Sequence, residues 1–346
     1  MSLITCSADE DAMNGLERTL EFIKGNRVDR LPYHPILMRI VSELTGVNYR
    51  DFCLDPLIHS DAAIRMSEML DCDWVTVMSD PYAEAEAFGL PVAYPDNAMP
   101  HETGLLIMDP STDIDNLTVP RLQDAHRMRG RVEQIEHFVR LCKDRFFIVG
   151  WVEGPMAEYA DLRGLGPACL DLFDCPERVH QAMDVIMENA LNFITAQVNA
   201  GAHCIGIGDA ACSQIGPELY ETFAFERERE LVAHTHALGA LAKIHICGNT
   251  TSIMPNVIET GADIIDVDHL ATDMAGFAAL LKPGQVLCGN ADPVSIIAKG
   301  SPERIRQTVR TIHEQTRGRT IVSAGCEIPP GTPVANLRAF REAAGL

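Results

Sequence analysis

Short apolar, β-branched runs alternate with stretches of helical periodicity along most of the chain. The runs are LPYHPILM, DWVTVMS, FFIVGWV, CIGIGD, AKIHIC, DIIDVD, QVLCGN and TIVSAG. Nearly continuous apolar segments suit strands buried on both faces, and their alternation with helices is the mark of a parallel α/β fold. Their number is about what a TIM (β/α)8 barrel needs. An open doubly wound sheet would show the same alternation and stays as the alternative. No GxGxxG or GxxxxGK[ST] loop follows any of these runs, so the signals of a nucleotide fold are missing.

The helical stretches support the barrel. VHQAMDVIMENALNFITA carries Val179, Met183, Ile186, Ala190 and Phe193 at steps of three and four and stops at Gly201. A second helix takes Ser301 as its N-cap and Pro302 in its first turn. It sets Ile305, Val309 and Ile312 on one face and ends near Gly318. The segment PVAYPDNAMPHETGLLIMDPSTDIDNLTVP is proline-bearing and poorly periodic, as expected of an excursion over the barrel mouth near residues 90–120. Residues 1–20 are expected as a lead-in and 21–346 as one barrel domain.

Composition narrows the function. The 346 residues include 47% hydrophobic types, enough for a sizeable core, and the formal charge is −21. Nucleic acid is therefore not expected as a partner, because counterion release needs clustered Lys and Arg. No run of eighteen apolar residues suggests a membrane span, and MSLITCSADEDAMNGLERTL lacks the pattern of a secretory signal. The eleven cysteines show no short, regular framework, so they are expected as thiols in a cytoplasmic protein.

In a barrel the active site lies at the C-terminal strand ends. Those ends carry Asp80, Glu153, Asp209, His245 with Cys247, Asp266 with Asp268, Asn290 with Asp292, and Cys326. Residues i and i+2 of a strand share a face, so His245 and Cys247 can reach one ion. Cys326 ends the last strand, and closure of the barrel can bring it to the same ion. Two thiolates and an imidazole suit Zn²⁺ with a fourth position for a carboxylate, water or substrate. Glu153 is a candidate for that position, or an exposed loop carboxylate before Gly154 and Pro155. Asp80 and Asp209 are candidate acids, or caps at a strand end or helix start. Met38 and Tyr82 are candidates for holding substrate, as is Asn290. Cys72, Cys142, Cys204 and Cys288 are expected as core thiols, and His203 and His269 as hydrogen-bonded rim residues.

The chain as a whole resembles the uroporphyrinogen decarboxylase superfamily, and more closely its zinc-containing corrinoid methyltransferase branch. GNRVDRLPYHPILMR, DWVTVMSDPYAEAEAFG, GADIIDVDH, VLCGNADPVSII and SAGCEIPPGTPVANL follow in the family's order, with Asp80 at the position of a decarboxylase aspartate. Two departures separate it from the decarboxylases. Gly325-Cys326-Glu327 stands where they carry a Gly-His-Gly-like turn, and their arginine-bearing patch appears only as Met38-Arg39-Ile40-Val41-Ser42-Glu43. The methyltransferase branch is known for a His-x-Cys pair with a distant Cys on zinc, matched by His245, Cys247 and Cys326. Its Glu-Gly-Pro segment is similar to GWVEGPMAEYADLRG, which puts Glu153 near the metal.

The resemblance implies methyl transfer to or from a corrinoid carried by a separate protein. The acid-rich strand ends lean towards demethylation of a small O- or N-methylated substrate, since expelling an alcohol or amine benefits from a proton. A methylcorrinoid-to-thiol transferase, of the kind that uses a coenzyme M-like acceptor, is the alternative. A tetrapyrrole decarboxylase and a non-catalytic zinc- or corrinoid-partner subunit remain as further alternatives.

Overall fold

In a computed structural model, residues 12–346 are described. The apolar runs form strands because their backbones find partners on both sides. In chain order these are β1 (Trp74–Thr76), β2 (Val92–Ala93), β3 (His101–Glu102), β4 (Phe147–Glu153), β5 (Cys204–Gly208), β6 (Leu241–Ile246), β7 (Ile264–Val267), β8 (Val286–Gly289) and β9 (Thr320–Ile321). Seven of them make one parallel sheet in the order β1-β4-β5-β6-β7-β8-β9. That order follows the chain with no reversal, which a doubly wound sheet would require.

The remaining position is taken by LPYHPILM, and here the structure departs from the expectation of a full strand. Only Tyr33 is bridged, to Val322. On that side the His34 amide donates to Val322 O at 3.0 Å, and the Val322 amide donates to Pro32 O at 2.9 Å. On the other side the Asp73 amide donates to Tyr33 O at 2.9 Å. The segment thus closes the barrel between β9 and β1. Pro32 and Pro35 have no N–H to give a ladder, so the strand shrinks to one bridge.

Helices cover the outside. Pro176–Ala200 buries Val179, Met183, Ile186, Ala190 and Phe193 against the sheet and ends at Gly201 in the left-handed region. Pro302–Gln315 is capped by Ser301, whose side chain accepts from the Arg304 amide, and it buries Ile305, Val309 and Ile312. Both faces match the spacing in the sequence. Helix Gly15–Ile23 closes the N-terminal end of the barrel, where Trp74 Nε1 donates to Thr19 Oγ1 at 2.8 Å. The expected boundary at residue 20 falls inside this helix, and residues 1–11 of the lead-in lie outside the described residues.

The excursion at 90–120 folds as the antiparallel pair β2–β3 followed by two short helical turns. Its Leu106 and Ile107 amides both donate to Leu162 O at 3.0 Å, tying it to the helix that follows β4. Among the described residues no helix is long and apolar enough to cross a membrane.

Candidate metal centre

Strand β6 alternates Lys243, His245 and then Cys247 on one face, with Ile244 and Ile246 on the other. His245 is inside the strand and Cys247 one residue past its end. Cys326 arrives from across the barrel because Ala324 bridges Ala291 and the Gly325 amide donates to Ala291 O at 2.8 Å. Residue 325 has to be glycine, since a Cβ there would sit 2.3 Å from the His269 nitrogen.

The three donors meet. His245 Nε2 lies 2.9 Å from Cys247 Sγ, and the two sulfurs are 3.4 Å apart. All three donor atoms fall within 4.8 Å of one another. A tetrahedral zinc with Zn–S near 2.3 Å would set its sulfurs roughly 3.8 Å apart, so the spacing and the soft donor set both fit that ion. Glu153 is outside this group but lines the same cavity. Its Oε1 accepts from Trp151 Nε1 at 2.7 Å. Burial, reinforced by the charge of Glu84, pushes its carboxyl well above the usual range. Trp151 has room to lie across the barrel because Gly206 and Gly208 face it, where a Cβ would meet its ring at 2.4 and 2.5 Å.

Behind the imidazole stands Asp266, expected only as a strand-end carboxylate, paired with Lys243, which the sequence reading did not single out. Asp266 Oδ2 lies 3.3 Å from His245 Nδ1 and 2.5 Å from Lys243 Nζ, all of them buried. A carboxylate facing the second ring nitrogen fixes the orientation of a metal-binding histidine. Burial opposes charge on His245, but Asp266 overcomes it and raises the imidazole to about 9. The hydrogen bond from Cys247 draws the Cys326 thiol down to about 5 against its burial, and the same contact with burial pushes Cys247 up. A metal ion binds the thiolate and neutral imidazole forms, so its binding here would release protons from this cluster. The alternation Lys243, His245, Cys247 was the available signal for Lys243.

The other expected residues lie elsewhere. Asp80 is fully buried, paired with Arg127 at 2.6 Å and accepting from Ser79 Oγ at 2.6 Å. Burial alone would raise its carboxyl, but Arg127 and Arg131 hold it at about 2, so it has no proton to donate at neutral pH. Asp209 accepts from the Ala157 and Met156 amides at 2.7 and 3.3 Å, at the start of helix Pro155–Arg163. Burial raises it to about 6, and it groups with Cys212 and Glu228 rather than with the three donors. Asn290 gives its amide to the carbonyls of Asp268 and Ala271 at 2.8 and 2.9 Å. Met38 lines the inner cavity. Tyr82 lines a second cavity, and its hydroxyl donates to Glu102 at 2.7 Å. Cys72, Cys142, Cys204 and Cys288 are buried. The His203 Nδ1 accepts from the Ile148 amide, and His269 faces Asp268 at 3.0 Å.

The two cavities adjoin. An inner chamber of about 200 Å³ contains the three donors on its wall, and an outer vestibule of about 460 Å³ shares Pro81, Glu153, Ala210 and Cys247 with it. The site is thus reached from the C-terminal face of the barrel.

The methylcobamide:CoM methyltransferase MtbA of Methanosarcina mazei is 27% identical over 84% of this chain and 86% of its own length. A uroporphyrinogen decarboxylase of Koribacter versatilis is 25% identical over 87% of each. A solved methyltransferase structure from Methanosarcina mazei superposes with a TM-score of 0.86 over 96% of this chain and 98% of that one, at 21% identity, and so shares the fold. The uroporphyrinogen decarboxylase (URO-D) family matches residues 14–345, and the chain belongs to that family.

Proposed function

We propose that the chain transfers a methyl group from a corrinoid, carried by a separate protein, to a small thiol. The carrying observation is the meeting of His245, Cys247 and Cys326 at the end of an enclosed chamber. Similarity to a methylcobamide:CoM methyltransferase over 84% of the chain supports the same reading. The expectation of demethylation rested on acids at the strand ends. Asp80 at about 2 and Asp209 at about 6 are both mainly ionised at neutral pH, and the oxygens of Asp209 accept from the Ala157 and Met156 amides at a helix start, so neither of the two holds a ready proton for a leaving oxygen or nitrogen. A thiolate acceptor needs little acid catalysis.

In this reading His245, Cys247 and Cys326 hold zinc, with Glu153 or the acceptor sulfur at the fourth position. Zinc held there supplies Lewis acidity that keeps an acceptor thiol deprotonated and nucleophilic at neutral pH. Asp266 keeps the imidazole in register, and its own charge is balanced by Lys243. The largely apolar walls of the chamber leave the nucleophile few groups other than the metal site to interact with. The sulfur–carbon bond forms as the cobalt–carbon bond breaks, and the electron pair stays with cobalt.

The test is incubation of the zinc-loaded protein with methylcobalamin and a panel of small thiols. Loss of methylcobalamin with matching S-methyl product, abolished in Cys247→Ala, is the expected result. Methylation of reduced cobalamin by aryl methyl ethers or methylamines, with no thiol product, would overturn it in favour of demethylation.

A further inference from the structure

The inner chamber has two aromatic walls, Trp74 and Trp151, completed by Ile36, Met38, Met78 and Val149. Its volume of about 200 Å³ exceeds the size of an apolar cavity that accepts benzene, about 150 Å³. One ring, or a short branched alkyl group, fits.

No lysine or arginine is free there to pair with an anionic ligand. Lys243 is the chamber's cation, and it is paired with Asp266 at 2.5 Å while its Nζ lies 5.4 Å from the Trp151 ring centroid. Thr76 Oγ1 accepts from the Met78 amide at 3.2 Å. His34 is stacked on Trp74 with centroids 4.8 Å apart, and burial drives its imidazole down to about 3, leaving it neutral. The vestibule offers no cation either. Its lining contains no lysine or arginine and includes Glu102 and Asp161. A sulfonate or carboxylate tail would find no lysine or arginine free to pair with it in either cavity, and an anion buried in the inner chamber without such a partner costs several kcal/mol.

Taking methyl transfer to a thiol as the reaction, we infer that the acceptor carries no anionic group and has an apolar body of about phenyl size. The aromatic walls and the two methionine thioethers are surfaces that ring contacts favour.

The chain contains two tryptophans, and both line this chamber, so intrinsic fluorescence reports its occupancy. The zinc-loaded protein is titrated with 2-phenylethanethiol and its thiol-free analogue 2-phenylethanol, against 2-mercaptoethanesulfonate. Saturable quenching by both phenyl compounds is expected, with 2-phenylethanethiol bound at least about tenfold more tightly than the sulfonate thiol. Met38→Phe, at a half-buried position, fills part of the chamber and weakens the phenyl compounds while the melting temperature holds. Equal or tighter binding of the sulfonate thiol, or no response to the phenyl compounds, overturns the inference. If 2-phenylethanol binds but no thiol is methylated, the methyl-transfer reading falls and the chamber's preference stands. If 2-mercaptoethanesulfonate is methylated with the higher kcat/KM, the preference falls and the reaction stands.

Discussion

The Sγ atoms of Cys247 and Cys326 lie 3.4 Å apart although 79 positions separate the residues in the chain. Barrel closure makes this contact, because β6 and the segment after β9 end on the same rim. Two thiols held so close gain little from one another alone. Their placement beside a histidine, itself braced by a buried carboxylate, is what gives the pair a purpose.

Asp266→Asn tests that brace. The amide keeps the shape but loses the charge facing His245 Nδ1, so zinc affinity should fall about 10- to 100-fold. Competition with a chromophoric chelator measures it. Unchanged affinity would reduce Asp266 to a counter-ion for Lys243.

Arg127→Met tests the reading of Asp80. Removing one partner of a buried ion pair leaves the other charge unpaired, at a cost of roughly 3–5 kcal/mol. The pair also carries a pH signature. Asp80 is held at about 2, below its ordinary value near 3.9, so its contribution is complete above pH ~4 and is lost as pH falls through 2. Urea unfolding across that window should show this loss in the wild type and not in the variant.

The strands were legible where apolar runs meet neighbours on both sides, as in FFIVGWV and AKIHIC. LPYHPILM was not, because two prolines leave an apolar segment that closes the barrel through a single bridge. The meeting of His245, Cys247 and Cys326 was legible because strand periodicity puts the first two on one face and Cys326 ends the last strand, where barrel closure brings it across. The place of Asp80 was hidden, since its partner Arg127 lies 47 residues away on a helix whose sequence gives no sign of the pairing. Lys243 was within reach of the alternation argument, but its partner Asp266 belongs to the next strand and becomes a neighbour only through the register.

Asp161→Asn should stabilise the protein in a pH-dependent way. Burial first, and then the charges of Glu102 and Glu84, raise Asp161 to about 8. A carboxyl raised in the folded state contributes stability that is complete below its unfolded value near 3.9 and is lost as pH rises through 8. The advantage of the asparagine variant should therefore grow between pH 4 and pH 8 and then level off. Denaturation midpoints at pH 5 and pH 8 check the sign, and an equal shift at both would contradict it.

The central claim is that His245, Cys247 and Cys326 form one metal site. Its most direct measurement is the zinc content of the purified protein beside Cys247→Ala and Cys326→Ala, each with its melting temperature. The account predicts one zinc per chain, lost in both variants while the fold survives. A protein without zinc, or zinc retained in either variant, would contradict it and return these cysteines to ordinary packing.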